Sequence, residues 1–389
     1  MLTKNIRFEG FGIKKNKQKI KSQVLKALNF HKKTKLIKSL SQNYQLDFDN
    51  KIIQSYKKYS NFNLIGMGGS SLGAKAIYNF MKPKIKKNFS FIDNLNSRKK
   101  IQKTKKKIVN IVISKSGNTL ETISNYSLLK NKNKNRNIFI CENSDNYIKS
   151  LANKLNCLII NHKNYIGGRY SVLSEVGMLP AIFMGLKPEK FKNLNYLMKN
   201  KNFLNSLIDS AVSTNYFLKK KKYNSIILNY DELSHNLFEW YQQLIAESLG
   251  KNSKGILPIT SNMPRDNHSM MQLYLDGPKN SFFTFFNVVD YDNNKINNSE
   301  LLSSRKYLKN KSLYQIKYAQ KIATENVFKK RNIPFRSFNV LRRSEQALGE
   351  LFTFFMLETI LLGEMTKVNP FDQPSVELIK VETNRILKN

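Results

Sequence analysis

The sequence predicts an α/β protein with mainly parallel sheets, and three observations carry that expectation. Short apolar runs bounded by Gly, Ser or Asn recur along the chain: FNLIG at 62–66, IVNIVI at 108–113, NIFIC at 137–141 and CLII at 157–160. Longer stretches able to form helices separate them, the alternation that parallel strands joined by helices require. A second series then follows, with SIILN at 225–229, GILPIT at 255–260 and FFTFF at 282–286.

Each element has its place in that scheme. The 389 residues suffice for two domains that each bury a core, and two α/β units meeting near Pro180 to Pro188 are expected. The division falls at 1–190 and 191–389. The last third reads as helical, and SEQALGELFTFFMLETILLGEM is apolar enough to make a wholly buried helix that stops before the turn-forming NPFDQP. No fixed-period repeat is present, which argues against a solenoid.

Composition narrows the function classes. At 41% hydrophobic and 11% aromatic residues the chain belongs with folded globular proteins rather than disordered ones. The start, MLTKNIRFEGFGIKKNKQ, lacks the apolar run of a secretory signal, and LFTFFMLETILLG is short and broken by Glu358. An unexported protein with no membrane segment is therefore expected, in the cytoplasm. Cys141 and Cys157 fall on or beside apolar runs without metal-ligand spacing, which fits buried free thiols in a reducing compartment, although a disulfide stays open at this stage. No His/Asp/Glu cluster has ligand spacing, so no metal or organic cofactor is expected. The formal charge of +39 raises nucleic acid as a partner. Its distribution argues otherwise: lysines are strewn among asparagines, in runs such as 99–107, 130–136 and 219–222, without interleaved aromatics. A solvated, compositionally biased surface that attracts anionic substrate is the expectation.

Two glycine- and hydroxyl-rich turns carry the first chemical signal. In GMGGSSLGAK at 66–75 a strand empties through a turn into a helix, where exposed backbone N–H groups favour an anion and glycine permits close approach. Gly69 and Ser70 are the binding candidates there. The spacing is not that of a dinucleotide fingerprint, and a tight turn with no ligand is the alternative. In VISKSGNTLET at 112–122, Ser114, Ser116 and Thr119 can donate hydroxyl protons to phosphate oxygens while Lys115 and a helix start add positive charge. An N-cap and polar turn would use the same residue types.

The run Ser-Lys-Ser-Gly-x-Thr-x-Glu-Thr after a buried strand resembles the phosphate-binding signature of sugar isomerase (SIS) domains. GGRYSVLSEVGMLP at 167–180, WYQQLIAESLGK at 240–251 and NPFDQPSVELIK at 369–380 resemble, in the family's order, the successive signatures of the glucose-6-phosphate isomerase (phosphoglucose isomerase) family. The resemblance spans about Gly66 to Lys380. It implies two SIS-type αβα sandwich domains, with a C-terminal helical segment returning to the active site between them. It also implies reversible aldose-ketose isomerisation of glucose 6-phosphate and fructose 6-phosphate through a cis-enediol, in glycolysis and gluconeogenesis.

The same resemblance assigns residues. Glu247 matches the base that shuttles a proton between C1 and C2, a task suited to a partly buried carboxylate. Arg169, after Gly167 and Gly168, matches the arginine aimed at the enediolate oxygens, where fixed positive charge is needed. His268 matches the histidine that opens the sugar ring together with the lysine matched by Lys380. Gln373, seven residues earlier, and Gln243, one helical turn before Glu247, match glutamines that contact substrate. The family's homodimer is implied too, with His268 reaching the neighbour's site. His31, His162 and His235 match nothing and read as structural. Two positions depart from the pattern: Ser375 replaces a glycine, and Asn118 replaces a hydroxyl residue. The chain is also shorter than the animal-type members. An isomerase of another phosphorylated hexose or an amino sugar, a non-catalytic sugar-phosphate sensor and a nucleic-acid binder are the competing readings.

Overall fold

The computed structural model describes residues 1–13, 18–96, 107–129, 136–289, 295–297 and 299–389. The lysine runs at 99–107 and 130–136 lie, except for their last residues, outside the described residues. Ten strands form two five-stranded sheets with helices on their faces. One sheet has the order β3 (Asn88–Ile92), β2 (Asn61–Ile65), β4 (Ile108–Ile113), β5 (Asn137–Cys141) and β6 (Leu158–Asn161), with every pair parallel. The other has the order β1 (Ile6–Glu9), β10 (Phe335–Val340), β9 (Ser281–Val288), β7 (Asn224–Asn229) and β8 (Leu257–Asn262), parallel except where β1 meets β10. All seven strands expected from apolar runs are present. Sheets covered by helices on both faces bury the whole strand, which is why β4, β5 and β9 are apolar along nearly their full length.

Polar side chains inside the first sheet have their own order. Asn63, Asn110 and Asn137 stand side by side on β2, β4 and β5. Asn63 donates to the Asn110 carbonyl at 3.0 Å and Asn110 donates to that of Asn137 at 2.9 Å. Slipping either strand pair by one residue would place these amides on opposite faces, so the ladder reinforces the register that the apolar pattern sets.

The helix Glu345–Thr366 is the shared core element. All residues from Ala347 to Gly363 are buried, as its composition predicts, and it ends where Lys367 takes a left-handed conformation before NPFDQP. Three strands escaped the apolar pattern: β1, β3 and β10. β10 places Arg336 in a sheet interior, where it donates to Thr284 at 3.0 Å and pairs with Glu358 and Ser210. It also breaks the helical reading of the last third. Residues 6–9, assigned by sequence to the first unit, hydrogen-bond to β10 of the second sheet. Thr3 and Asn5 donate to the buried Glu350 of the core helix at 2.6 and 2.8 Å. Pro180, in the stretch where the two units are expected to meet, lies within the buried helix Glu175–Phe183, whose packing offsets the backbone hydrogen bond that proline cannot make. Cys141 is buried and Cys157 half-buried, and both are free thiols. The expected disulfide alternative is thereby removed.

Lys192 is a buried cation whose amine makes no hydrogen bond among the described residues. It sits 4.3 Å from the centre of the Tyr44 ring, and Tyr44 donates to the buried carboxylate of Glu175 at 2.8 Å. Burial pulls the Lys192 pKa down to about 8, against a smaller opposing effect of Glu175. Between that value and the ordinary lysine value the unfolded chain binds more protons than the folded one, so this residue's penalty is full below pH 8 and fades as pH rises towards 10.5. Lys192→Met is expected to stabilise the fold by about 2 kcal/mol at pH 7 and by progressively less towards pH 10. Urea unfolding across that range checks it; a variant less stable than the parent at pH 7 contradicts the account.

Candidate active site

The turns after β2 and β4 emerge side by side at the same end of the first sheet, because those strands are parallel neighbours. In the first turn Gly68 has φ +53°, a conformation that favours glycine. Gly69 meets Gly168 backbone to backbone: a Cβ on Gly69 would stand 2.2 Å from the Gly168 carbonyl carbon. The two glycine motifs therefore exist for each other, and their contact sets the turn against the segment carrying Arg169. Ser171 strengthens the joint, donating to the Gly168 carbonyl at 2.7 Å.

Helix His235–Leu249 comes from the second half and lies along helix Leu72–Phe80, which the first turn feeds. Its residues Gln243 and Glu247 share one face, and the Gln243 amide donates to Glu247 Oε1 at 2.9 Å. Arg169 Nη1 donates to the other carboxylate oxygen at 3.3 Å. The Arg169 side chain is 1% exposed and that of Glu247 30% exposed, so the carboxylate is open to a ligand while its cationic partner is sealed below it.

A guanidinium has five N–H donors. Those of Arg169 are all engaged: Nε with Ser248 at 2.8 Å, Nη1 with Glu247 and with Gln373 at 2.7 Å, and Nη2 with the carbonyls of Pro370 at 2.8 Å and Asp372 at 3.0 Å. Trp240 donates to the Arg169 carbonyl at 3.1 Å. Tyr170 joins Ser248 and the Pro370 carbonyl, each at 3.0 Å, and burial pushes its phenol pKa up, which keeps it a protonated donor. Nε and one Nη2 donor are held by the buried Ser248 and Pro370, whereas Nη1 faces Glu247 and Gln373, both reachable from solvent.

The second turn carries the residues expected to cradle phosphate. Ser114 and Thr119 share a hydrogen bond at 2.9 Å across the loop, and Ser116 accepts from the Asn118 amide at 3.3 Å. Gly117 has φ +67°, and a Cβ there would stand 1.8 Å from Asn146 Oδ1. Lys115 reaches the Asn164 carbonyl at 2.9 Å and Glu142 at 3.4 Å. Asn118, the departure from pattern, has a task of its own: its carbonyl accepts from the Tyr147 amide at 3.0 Å, where the next helix begins.

The structure thus brings Gly69, Gly168, Arg169, Gln243, Glu247 and Gln373 together. Two expected residues stand apart. Lys380 is on the exposed helix Ser375–Lys388 and pairs with Glu377 at 2.6 Å, and His268 is exposed after the second-sheet strand β8. The structural readings of the other histidines agree with their contacts: His31 meets Glu364 at 2.8 Å, His162 is buried against the Lys163 carbonyl, and His235 meets Asn262 at 3.2 Å. Sequence reasoning missed Tyr170, Ser248 and Lys251. Each lies inside a quoted motif, but only the folded contacts assign it a partner. Among the described residues no group of His, Cys, Asp and Glu could hold a metal ion, and no helix is long and apolar enough to cross a membrane.

The molecule is thus built on two mostly parallel sheets, with a glycine turn of the first set against an Arg–Glu pair. Residues 28–389 match the phosphoglucose isomerase family, and the chain belongs to it. It is 33% identical over 350 residues to the glucose-6-phosphate isomerase of Methanocaldococcus jannaschii, covering 86% of each chain. It is also 33% identical over 384 residues to that of Mycoplasmopsis pulmonis, covering 90% of this chain and 89% of the other. Among solved structures, a hypothetical protein from Thermus thermophilus superposes with a TM-score of 0.83 at 23% identity, covering 96% of each chain. A glucose-6-phosphate isomerase from Chlamydia trachomatis gives 0.71 at 19% identity, covering 95% of this chain and 73% of the other. These last two likenesses bear on the fold.

The Gly69–Gly168 contact generates a prediction. Gly69→Ala must push the turn away from the Arg169 segment, and a displacement near 1 Å in a catalytic arrangement costs roughly 100-fold in rate. Steady-state isomerase kinetics check this, and activity within threefold of the parent would contradict the close-approach argument.

Proposed function

We propose that the protein interconverts glucose 6-phosphate and fructose 6-phosphate, with Glu247 as the base. The observation that carries this reading is the Glu247 carboxylate, oriented by Gln243 on one oxygen and by buried Arg169 on the other, with its side chain open to a ligand. The loop 114–119 holds the phosphate through the hydroxyls of Ser114, Ser116 and Thr119, with Lys115 adding charge. Gly69, Ser70 and Gly168 let backbone groups approach the sugar. Glu247 takes the C2 proton of the open-chain aldose, giving a cis-enediol, and returns it to C1. Arg169 Nη1 faces the oxygens where negative charge develops. His268 and Lys380 serve ring opening, a step that passes a proton between ring oxygen and the C1 hydroxyl.

The exposed positions of His268 and Lys380 favour the homodimer implied by the family. Helix Ser375–Lys388 has no buried residue, yet Val376, Leu378, Ile379, Val381, Ile386 and Leu387 are all exposed on it. A second copy would cover those apolar side chains, seat the helix that carries Lys380, and supply His268 to the neighbouring site. The division at about residue 190 describes the two sheets as functional units, apart from the N-terminal strand. Free thiols at Cys141 and Cys157 support a reducing cytoplasm.

Glu247→Gln is expected to abolish isomerisation and to stop exchange of the substrate C2 proton with deuterated water, while binding of phosphorylated sugar persists. Exchange at the parent rate, followed by NMR, removes Glu247 as the base. A mixing experiment checks the shared site. Glu247→Ala and His268→Ala proteins, each inactive alone, are refolded together. If His268 serves in trans, each mixed dimer contains one intact site, and random pairing restores about a quarter of all sites. No recovery in a sample shown to contain mixed dimers overturns sharing of His268.

A further inference from the structure

The turn 369–373, which joins the core helix to the C-terminal helix, is gripped through its backbone carbonyls by cationic side chains. Arg169 Nη2 donates to the Pro370 and Asp372 carbonyls from one side. From the other, Lys251 donates to the Asn369 carbonyl, to the Asp372 carbonyl at 2.6 Å and to Asp372 Oδ1 at 2.7 Å. The Asp372 carbonyl thus accepts from both. Within the turn, Asn369 donates to the second carboxylate oxygen of Asp372 at 2.8 Å and accepts from the Phe371 amide at 3.1 Å. The hydrogen bond from Lys251 lowers the Asp372 carboxyl below its ordinary value. The Lys251 side chain is only 10% exposed, although Asp372 is open to water.

This arrangement has a chemical consequence at Arg169. Three of its five donors must stay fixed if the remaining pair, on Nη1, is to point at Glu247 and at substrate. Two of those three depend on where the turn lies. The same turn places Gln373 on Nη1 and starts the helix that bears Lys380. Lys251 follows helix His235–Leu249, which carries Glu247 and Ser248, by two residues. It therefore ties the C-terminal turn to the end of the helix that carries the base, without touching the site itself.

We propose that Lys251 is a positioning residue for the proton-transfer step: by clamping the 369–373 turn to the end of the Glu247 helix, it sets Gln373 in place and aims Arg169 Nη1 at the oxygens where negative charge develops. The proposal rests on the reading of Glu247 and Arg169 as the reaction centre. It does not involve the phosphate loop, which lies after β4 and has its own contacts. Loss of Lys251 should therefore slow chemistry and leave the hold on phosphate unchanged. Arginine can reach the same carbonyls and carboxylate, whereas methionine keeps the apolar stem and removes the donor.

The test compares Lys251→Met, Lys251→Arg and Asp372→Ala with the parent enzyme, using fructose 6-phosphate as substrate and inorganic phosphate as competitive inhibitor. Lys251→Met is expected to lower kcat between about 10- and 100-fold while KM and the phosphate inhibition constant move less than about threefold. Lys251→Arg should recover most of the lost kcat. Asp372→Ala should lower kcat on its own and have little further effect in the Lys251→Met background, because both substitutions break one clamp. A kcat within twofold of the parent in Lys251→Met overturns the proposal. So does an equal loss of kcat and phosphate affinity, or full additivity with Asp372→Ala. Should Lys251→Met fail to fold, Asp372→Ala, on the exposed side of the clamp, decides: an unchanged kcat there overturns the proposal. The reading of the site itself is judged separately by Glu247→Gln, whose retained proton exchange would displace the reaction centre whatever Lys251 does.

Discussion

Burial of the Arg169 guanidinium is the constraint around which the molecule is arranged. An ion removed from water costs several kcal/mol unless its charge and every donor find partners. Here the partners come from widely separated parts of the chain: Glu247 and Ser248 on one helix, and Pro370, Asp372 and Gln373 on the turn after the core helix. Arg169 itself stands after the Gly167–Gly168 pair that meets Gly69. One side chain consequently joins the glycine turn of the first sheet, the base-bearing helix and the C-terminal segment. Its Nε and Nη2 donors hold the hydroxyl and carbonyl groups that join these segments, and its Nη1 pair faces Glu247 and Gln373.

Other buried charges follow the same rule at a distance from the site. Arg343 donates to Asp231 at 2.7 Å and to the Phe80 carbonyl at 3.1 Å, joining the end of a first-half helix to the second half. Arg336 and Glu358 tie β10 to the core helix, and the fully buried Lys321 donates to Glu325 at 2.6 Å and Ser337 at 3.1 Å. The chain has 66 basic residues and 27 acidic ones, so acids are scarce. Asp231, Glu325 and Glu358 are placed where a buried cation would otherwise lack a counter-charge.

The motif turns show why local chemistry is readable while its consequences are not. Gly68, Gly69 and Gly117 announce close approach, because a side chain at any of them would collide with a neighbour. What each approaches lies far along the chain, Gln243 for Gly68, Gly168 for Gly69 and Asn146 for Gly117, and nothing in the local sequence names it. Asn118 illustrates the reverse case. It departs from the phosphate-loop pattern, yet it gains a contact with the Tyr147 amide that only the packing of the next helix provides.

The sequence by itself determined the parallel α/β class, seven of the ten strands, the buried core helix and the identities of the paired Arg169 and Glu247. Those features follow from period, apolarity and motif, all of which act over a few residues. Tertiary structure decided what depends on distant partners. β10 carries an arginine that is tolerable inside a sheet only because Glu358, 22 residues on, faces it. β1 takes its place in the second sheet because its edge partner is 330 residues away in sequence. Saturation of Arg169, the grip of Lys251 on the C-terminal turn, and the outward position of Lys380 are likewise set by where the helices pack. Hydrogen bonds between segments are short-ranged in space and unrestricted in sequence separation, so a chain written in local patterns leaves them to the fold.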